Sequence, residues 1–261
     1  MSCGLVSIIV PMYNCRNSIE DTISSLLNQT YVNIEVICID DGSRVSYDDI
    51  LYRFKDERLF YFKQENMGAA GARNTGIIKS NGAYIAFCDA DDRWHAEKLE
   101  KQLSFLTCDV SIVGCLTDSN ASVFHKFATN PISTITKHKQ LLSNFFQTST
   151  VVISRKTIEE IGMFPVDRRY AEEGDLFFRA LELKNGLVLN QILVSYSNQK
   201  ASFGQSGLSA NLNFMWYGEL RNYLNYFERN NSSILLLITL FLYSGAKFLV
   251  RKLRVFMRGK L

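Results

Sequence analysis

The chain has few of the residues that interrupt or cross-link a polypeptide. Its 261 residues include 3 prolines, and no glycine- and serine-rich linker separates two parts of the sequence. This predicts one large domain with at most an appendage. None of the 6 cysteines belongs to a C-x-x-C pair, so we expect free thiols in a reducing cytoplasm rather than a disulfide framework. The opening segment MSCGLVSIIVPMYN lacks the basic and cleavable apolar parts of a signal peptide, and none is predicted.

The chain also lacks an excess of basic residues over most of its length. The net charge is +3, but six Lys and Arg and no acid lie from Lys247 onwards, so the remainder carries −3. A mildly acidic body argues against nucleic acid as a partner. The hydrophobic content of 47%, with 21% charged residues, is that of a globular protein with a buried core.

Apolar runs alternate with helical patterns over the first hundred residues. Residues 6–10, 34–39, 59–62 and 84–88 predict buried strands, the first of them ended by Pro11. Apolar residues with a helical period predict a helix over 19–27, and shorter helices are expected around 50–54 and in the middle of 66–82. Such alternation predicts a mainly parallel sheet covered on both faces, with ligands bound beyond the carboxyl ends of its strands.

Polar side chains follow three of these strands. The clusters are Tyr13-Asn14, Asp40-Asp41 and Asp89-Ala90-Asp91-Asp92. Neighbouring carboxylates repel one another unless something positive lies between them. A divalent cation that bridges to a diphosphate would satisfy this need at the third cluster. The alternative is that Asp91 or Asp92 caps a helix over about 94–106, while Asp40-Asp41 forms a turn with an Asx motif.

Five segments, in order, resemble the nucleotide-binding half of the family 2 glycosyltransferases, which have the GT-A fold. They are VSIIVPMYN, SLLNQTY, IDDGS, NMGAAGARNTGI and FCDADDRW, within residues 5–105. A weaker likeness continues through TSTVVISR and IGMFPVDRRYAEEGDLFFRAL to about residue 200. The resemblance implies an α/β fold with a mixed, mainly parallel sheet flanked by helices. It also implies a metal-dependent sugar transfer from a nucleotide-sugar, with a UDP-hexose as the expected donor.

The resemblance assigns roles to particular residues. The nucleotide-sugar would lie against Pro11, Tyr13, Asp40, Asp41, Arg73, Asp89, Ala90 and Asp91. Asp89 and Asp91 would form the D-x-D that holds Mn²⁺ or Mg²⁺ on the donor diphosphate, with Asp92 as a competing ligand.

The resemblance also implies a catalytic base in the second half of the chain. Members of the family usually have Glu-Asp six residues before an Arg, and the Asp is the base of an inverting transfer. Glu172-Glu173 and Arg179 occupy those positions here, so Glu173 is the implied base, one methylene longer than usual. The alternative is that both glutamates only stabilise the first turn of a helix that continues through 175–183.

The end of the chain changes in composition. Residues 230–246 are uncharged, a run shorter than the ~20 apolar residues of a spanning helix. Beyond it, four basic residues share one face of a predicted helix and three apolar residues share the opposite face: Lys247, Arg251, Arg254 and Arg258 against Leu249, Leu253 and Phe256. This pattern predicts a basic helix that lies in a membrane interface. A helical hairpin packed on the domain and a single span are the alternatives.

These patterns together predict a GT-A domain over 1–215 and a helical, membrane-associating extension over 216–261. Residues 5–105 would bind the nucleotide-sugar and 106–215 the acceptor, with the loop 200–212 closing over the donor or shaping the acceptor pocket. The expected acceptor is a lipid-linked glycan or lipopolysaccharide at the cytoplasmic face of a bacterial inner membrane, as in O-antigen or capsule assembly. Without the Q-x-x-R-W of processive synthases, one sugar per event is expected. Transfer to a polyprenyl phosphate, retaining transfer and an inactive scaffold are the alternatives.

Overall fold

A mixed β-sheet forms the centre of the protein. The computed structural model describes residues 4–118, 130–196 and 211–258. In these ranges the strand order is β3-β2-β1-β4-β8-β6-β9-β5, and β7 pairs with β9. The strands are β1 (Val6–Met12), β2 (Ile34–Asp41), β3 (Leu59–Gln64), β4 (Tyr84–Phe87), β5 (Asp92–Trp94), β6 (Ile112–Thr117), β7 (Ile132–Ile135), β8 (Val152–Ser154) and β9 (Gly186–Tyr196).

Helices cover both faces of this sheet. They are α1 (Ile19–Leu27), α2 (Asp48–Leu51), α3 (Gly68–Lys79), α4 (Lys98–Leu103), α5 (Lys137–Leu142), α6 (Arg155–Ile161), α7 (Glu172–Leu183), α8 (Leu212–Asn230) and α9 (Ile234–Arg258). One apolar cluster joins α1 and α4 to one face of the sheet. A second joins α3, α6 and α7 to the other. The predicted α/β architecture is therefore confirmed.

The first four strands are parallel neighbours, as the sequence predicts. β2 pairs with β1 and β3, and β4 pairs with the other edge of β1. The sequence predicts that β1 ends at Pro11, but the strand continues to Met12. Val6 donates to Asn33 on the β2 side and Ile9 accepts from Cys88 on the β4 side. Backbone groups of successive residues point to alternate sides of a strand, so the Pro11 nitrogen faces the β4 side. Pairing with β4 ends at Ile9, so the missing N–H of Pro11 removes no hydrogen bond from the sheet.

The predicted helix over 94–106 is wrong in its first part. Asp92–Trp94 forms a short strand that pairs antiparallel with β9, and the helix begins only at Lys98, after Glu97 at its N-cap. Neither Asp91 nor Asp92 therefore caps a helix. Trp94 belongs to this strand instead: its backbone N–H donates to the Ser25 hydroxyl on α1, and its indole is buried.

The C-terminal helices form a hairpin that packs on α7. Leu237 and Leu240 of α9 share a buried cluster with Tyr223 and Tyr226 of α8 and with Phe178 of α7. The hairpin anticipated as an alternative is thus present. The predicted boundary at 215/216 falls inside α8.

From Ile234 onwards, the uncharged run of residues 230–246 belongs to a longer helix. Within the described ranges, one helix, Ile234–Met257, is long and apolar enough to cross a membrane by length and composition, because the helix continues past Lys247. The predicted basic face is partly turned inwards, since Lys247 and Arg251 both pair with Glu219 of α8. Ten large apolar side chains of α9 are exposed: Ile234, Leu235, Ile238, Leu242, Tyr243, Leu249, Val250, Leu253, Phe256 and Met257.

Gly76 allows α3 to lie against β1, and this contact predicts a stability loss on substitution. A Cβ atom at Gly76 would lie 2.3 Å from the Ile9 Cγ2 atom. Gly76→Ala should lower the free energy of unfolding by about 1–3 kcal/mol, as overpacking does. Gly245→Ala on α9 is the matched control, because nothing lies within 4 Å of its added methyl group. Chemical denaturation of both variants measures the difference, and equal stability would refute the close contact.

Candidate active site

The loops that follow β1 and β2 are tied to each other by hydrogen bonds. The Asn14 N–H donates to the Ser43 hydroxyl at 3.0 Å, and the Arg44 N–H donates to the Asn14 side-chain oxygen at 3.0 Å. Asn14 has a left-handed conformation, with φ 49°, which asparagine tolerates better than most residues. Tyr13 precedes it and is about half exposed, at 51%. The exposed Tyr13 ring therefore follows Pro11 and the end of β1, where a nucleotide base could stack on it.

Asp40 and Asp41 are buried, and the chain itself supplies donors to both carboxylates. Asp40 accepts from the Ser43 N–H at 2.8 Å and from the Tyr61 hydroxyl at 2.9 Å. The first bond closes a turn over residues 40–43, as the alternative anticipates, although it reaches three residues on rather than the two of an Asx turn. Asp41 accepts from the Gln64 amide at 2.7 Å and from the N–H groups of Met67 and Gly68, both at 2.8 Å. Asp41 therefore caps the start of α3 and joins β2 to it.

The acidic turn after β4 is held by hydroxyl groups from two sides. From α1, Ser18 and Thr22 donate to the Ala90 carbonyl at 2.8 and 3.1 Å. From the other side, Ser149 accepts from the Asp89 N–H at 3.0 Å and donates to the Asp92 carboxylate at 2.5 Å. This network turns the Ala90 carbonyl towards α1 and fixes the turn that carries the three aspartates.

Asp89, Asp91 and Asp92 form a possible cation site. One carboxylate oxygen from each lies within 4.8 Å of the other two. Asp92 is fully buried, whereas Asp89 and Asp91 are partly exposed. Three converging carboxylate oxygens suit a hard divalent cation such as Mg²⁺ or Mn²⁺. The residues present therefore fit the predicted metal.

Arg73 connects this acidic turn to α7. Its guanidinium donates to the Asp89 carboxylate at 2.9 Å and to the Glu172 carboxylate at 3.2 Å. It is 5% exposed and lies over the Phe164 ring, 5.4 Å from the centroid. An arginine can span two carboxylates because its planar fork presents donors in fixed directions. The D-x-D and the glutamate pair thus belong to one site.

Glu172 and Glu173 occupy the first turn of α7, as the alternative anticipates, but they differ in their contacts. Glu172 is buried and paired with Arg73. In the described part of the chain, no salt bridge or side-chain hydrogen bond joins Glu173 to another residue. Its burial, followed by the charge of Glu172, raises the pKa of Glu173 to about 7, and Arg73 opposes the shift. Glu173 can therefore exchange a proton near neutral pH.

Several residues of the site were not singled out from the sequence. Ser149 is the clearest, because it holds both Asp89 and Asp92 although it lies about sixty residues away. Its signal was the polar T-S-T placed directly before an apolar strand. Of the predicted closing loop 200–212, residues up to 210 lie outside the described ranges.

Sequence comparison identifies a family. The model of the family described as Glycosyl transferase family 2 matches residues 7–162. TuaG of Bacillus subtilis, named for teichuronic acid biosynthesis, is 37% identical over 202 residues, which are 74% of this chain and 78% of TuaG. WfgD of Escherichia coli is 33% identical over 216 residues, 79% of this chain and 80% of WfgD. WfgD is a UDP-Glc:alpha-D-GlcNAc-diphosphoundecaprenol beta-1,3-glucosyltransferase.

Solved structures share the fold. The mannosyltransferase PcManGT from Pyrobaculum calidifontis, in complex with GDP-Man and Mn²⁺, superposes with a TM-score of 0.71 at 19% identity, covering 94% of this chain and 70% of that one. S. aureus TarS in complex with UDP-GlcNAc gives 0.69 at 16% identity, covering 94% and 71%. The predicted GT-A fold is confirmed.

The carboxylate cluster predicts how the protein responds to Mn²⁺. Asp91→Asn should weaken Mn²⁺ binding in a calorimetric titration, because a charged ligand is lost. It should keep or raise the apo melting temperature, because a like charge is removed. Asp109→Asn, at an exposed acid outside the cluster, is the control. Unchanged Mn²⁺ affinity in Asp91→Asn would contradict the metal assignment.

Proposed function

The chain belongs to glycosyl transferase family 2 and is a glycosyltransferase that uses nucleotide-sugar donors, and we propose that it transfers one sugar from a UDP-hexose to a lipid-linked glycan with inversion. The observation that carries this proposal is the bridge from Asp89 through Arg73 to Glu172. This bridge joins the three aspartates, which we propose hold the metal and diphosphate, to the glutamate pair, which we propose supplies the base.

The names of the relatives support the choice of donor and acceptor. WfgD and WfaP of Escherichia coli are both glucosyltransferases that use UDP-Glc and a GlcNAc-diphosphoundecaprenol acceptor. S. aureus TarS has a fold like that of this chain and binds UDP-GlcNAc. A cavity of about 380 Å³ lies beside Glu172, between the start of α3 and residues 166–169. It offers space for an acceptor next to Glu172.

Each group of the site has a task in this reaction. Asp89, Asp91 and Asp92 would hold Mn²⁺ or Mg²⁺, and the bound cation would stabilise the charge that develops on the leaving diphosphate. Tyr13 would lie by the base, with Asp40 and Asp41 keeping the loops around base and ribose in place. Arg73 fixes Asp89 relative to Glu172. Glu173 would take the proton of the attacking hydroxyl.

Glu173 is the better candidate for the base because Glu172 is already occupied. The Glu172 carboxylate already accepts a hydrogen bond from the Arg73 guanidinium at 3.2 Å. Among the described residues no ion pair engages Glu173, and its pKa, raised to about 7, makes it a stronger proton acceptor than an ordinary glutamate. Most members of the family have Asp at the position of Glu173, and that side chain is one methylene shorter.

Two matched variants test the base. Glu173→Gln should lower turnover by roughly 10²–10⁴-fold, with donor affinity nearly unchanged, because the amide cannot accept the proton. Glu172→Gln should retain most of the turnover. The assay is transfer from UDP-glucose to a synthetic GlcNAc-diphosphate-lipid, with donor affinity measured by calorimetry. A larger loss for Glu172→Gln would place the base one residue earlier, and normal turnover in both variants would remove it from this pair.

The pH dependence gives a second readout of the same assignment. Turnover should fall as the pH drops below about 7, where Glu173 becomes protonated. In Glu172→Gln this acid limb should move to lower pH, since the Glu172 charge is one of the causes that raise the pKa of Glu173.

The same pKa predicts how stability depends on pH. Because the folded state holds the Glu173 proton more tightly than the unfolded chain does, the wild type should lose stability as the pH rises through about 7. Glu173→Gln should lack this loss in thermal denaturation.

The exposed side of α9 is the surface by which the enzyme would associate with a membrane. A helix with one face packed on the domain and a row of leucines facing outwards suits an interfacial position. A lipid-linked acceptor in the relatives agrees with this placement. We propose that the enzyme acts at the cytoplasmic face of the inner membrane, held there by α9.

Paired substitutions at equal exposure test this membrane surface. Leu235 and Leu242 are both 71% exposed on α9, while Val32 and Ile78 are 71% and 69% exposed elsewhere. The double change to Gln on α9 should reduce flotation with vesicles that contain phosphatidylglycerol, because apolar area is lost at the interface. The double change at Val32 and Ile78 should not. Binding should also weaken with salt. Equal flotation of both double variants would refute the assignment.

A further inference from the structure

The turn that presents Glu173 has an unusual backbone. Ala171, the N-cap of α7, lies in the left-handed region with φ 55° and makes no side-chain capping bond. A residue with a Cβ atom adopts this conformation only when its surroundings hold it there, and such residues cluster at functional sites. The question is which part of the protein holds Ala171.

Asn222 of α8 makes the most direct contact with this turn. Its side-chain amide donates to the Ala171 carbonyl at 2.9 Å, and the residue is 4% exposed. A buried donor that bonds to a backbone carbonyl restricts the peptide to one orientation, because breaking the bond would leave both groups without water. The bond therefore opposes rotation of the Ala171–Glu172 peptide.

Two further contacts from α8 press on the residue before Ala171. A Cβ atom at Gly218 would lie 2.5 Å from the Tyr170 carbonyl oxygen, so this backbone approach requires glycine. The Tyr170 ring stacks on Phe214 with centroids 5.2 Å apart and planes 18° from parallel. Phe214, Gly218 and Asn222 follow one another at intervals of four residues, which places them on one face of the helix.

The docking of α8 on α7 does not need these contacts. One turn beyond Asn222, Asn225 donates to the Asp175 carboxylate at 3.2 Å, and Arg229 donates to the same carboxylate at 2.9 Å. Arg229 also pairs with Glu182. These bonds connect α8 to α7 directly. The Asn222 side chain instead donates to the turn that precedes Glu172 and Glu173.

We propose that α8 holds the proposed base in position, with Asn222 and Gly218 as positioning residues that act through the backbone of residues 170–171. The inference rests on the proposed role of Glu173. It gives a catalytic task to a helix that lies outside the residues matched by the family model. Since Glu173 has no side-chain partner of its own among the described residues, its direction is set mainly by the turn from which it projects.

Asn222→Ala and Asn225→Ala form a matched pair for the test. Both remove an amide donor from the same helix, but only the first releases the turn. In the UDP-glucose transfer assay, Asn222→Ala should lower kcat by about 10- to 100-fold, the cost of a misplaced catalytic group, with unchanged calorimetric affinity for UDP and Mn²⁺. Asn225→Ala should leave kcat close to the wild-type value. Gly218→Ala should reproduce the loss, and Gly245→Ala should not.

Hydrogen exchange gives a readout that does not depend on the substrates. Amides of residues 171–175 should exchange faster in Asn222→Ala than in Asn225→Ala, at similar melting temperatures. Equal exchange and equal kcat in the two variants would overturn the inference, as would a parallel loss of donor affinity. If Glu173→Gln is inactive while Asn222→Ala is normal, only this inference fails. If Glu173→Gln is active, the proposed base itself fails.

Discussion

The contacts of Arg73 with Asp89 and Glu172 are the interaction on which the site depends. In the proposed reaction, carboxylates serve both the departure of the diphosphate and the deprotonation of the acceptor, and carboxylates repel one another at short range. A guanidinium buried between them offsets that repulsion and fixes their separation at the same time. The surrounding structure serves this contact: Gly76 brings α3 close to β1, Asp41 caps the helix that carries Arg73, and Phe164 lies against the guanidinium.

The parallel half of the fold and the acidic strand ends could be predicted from the sequence because their signals are local. Apolar runs, a helical period and carboxylates after Ile39 and Cys88 all lie within a few residues of what they determine. The bounds of β5 could not be predicted, since its pairing with β9 depends on residues about one hundred positions away. A residue such as Trp94 takes its conformation from that pairing rather than from its helical neighbours.

The same limit explains what was and was not predicted of the site. Family resemblance places Asp89, Arg73 and Glu173, but the bond from Arg73 to Glu172 joins residues 99 positions apart and has no sequence period. Glu172 and Glu173 look equivalent in the sequence. Only their environments distinguish them: Glu172 is buried and pairs with Arg73, whereas Glu173 is partly exposed and makes no such pair among the described residues. Asn222 is still less visible, because an asparagine in a helix usually indicates nothing more than a polar face.

The packing of α9 on α8, and of α8 on α7, affects how the enzyme would find its acceptor. The outer helix of this stack, α9, bears exposed leucines, and α7 bears the glutamate pair, so a molecule resting on a bilayer through α9 would keep its site at a fixed height and tilt. A lipid-anchored substrate would then arrive by lateral diffusion in two dimensions. Its rate of capture would follow the number of acceptor molecules per unit area of membrane, and dilution of the surrounding solution would leave that rate unchanged.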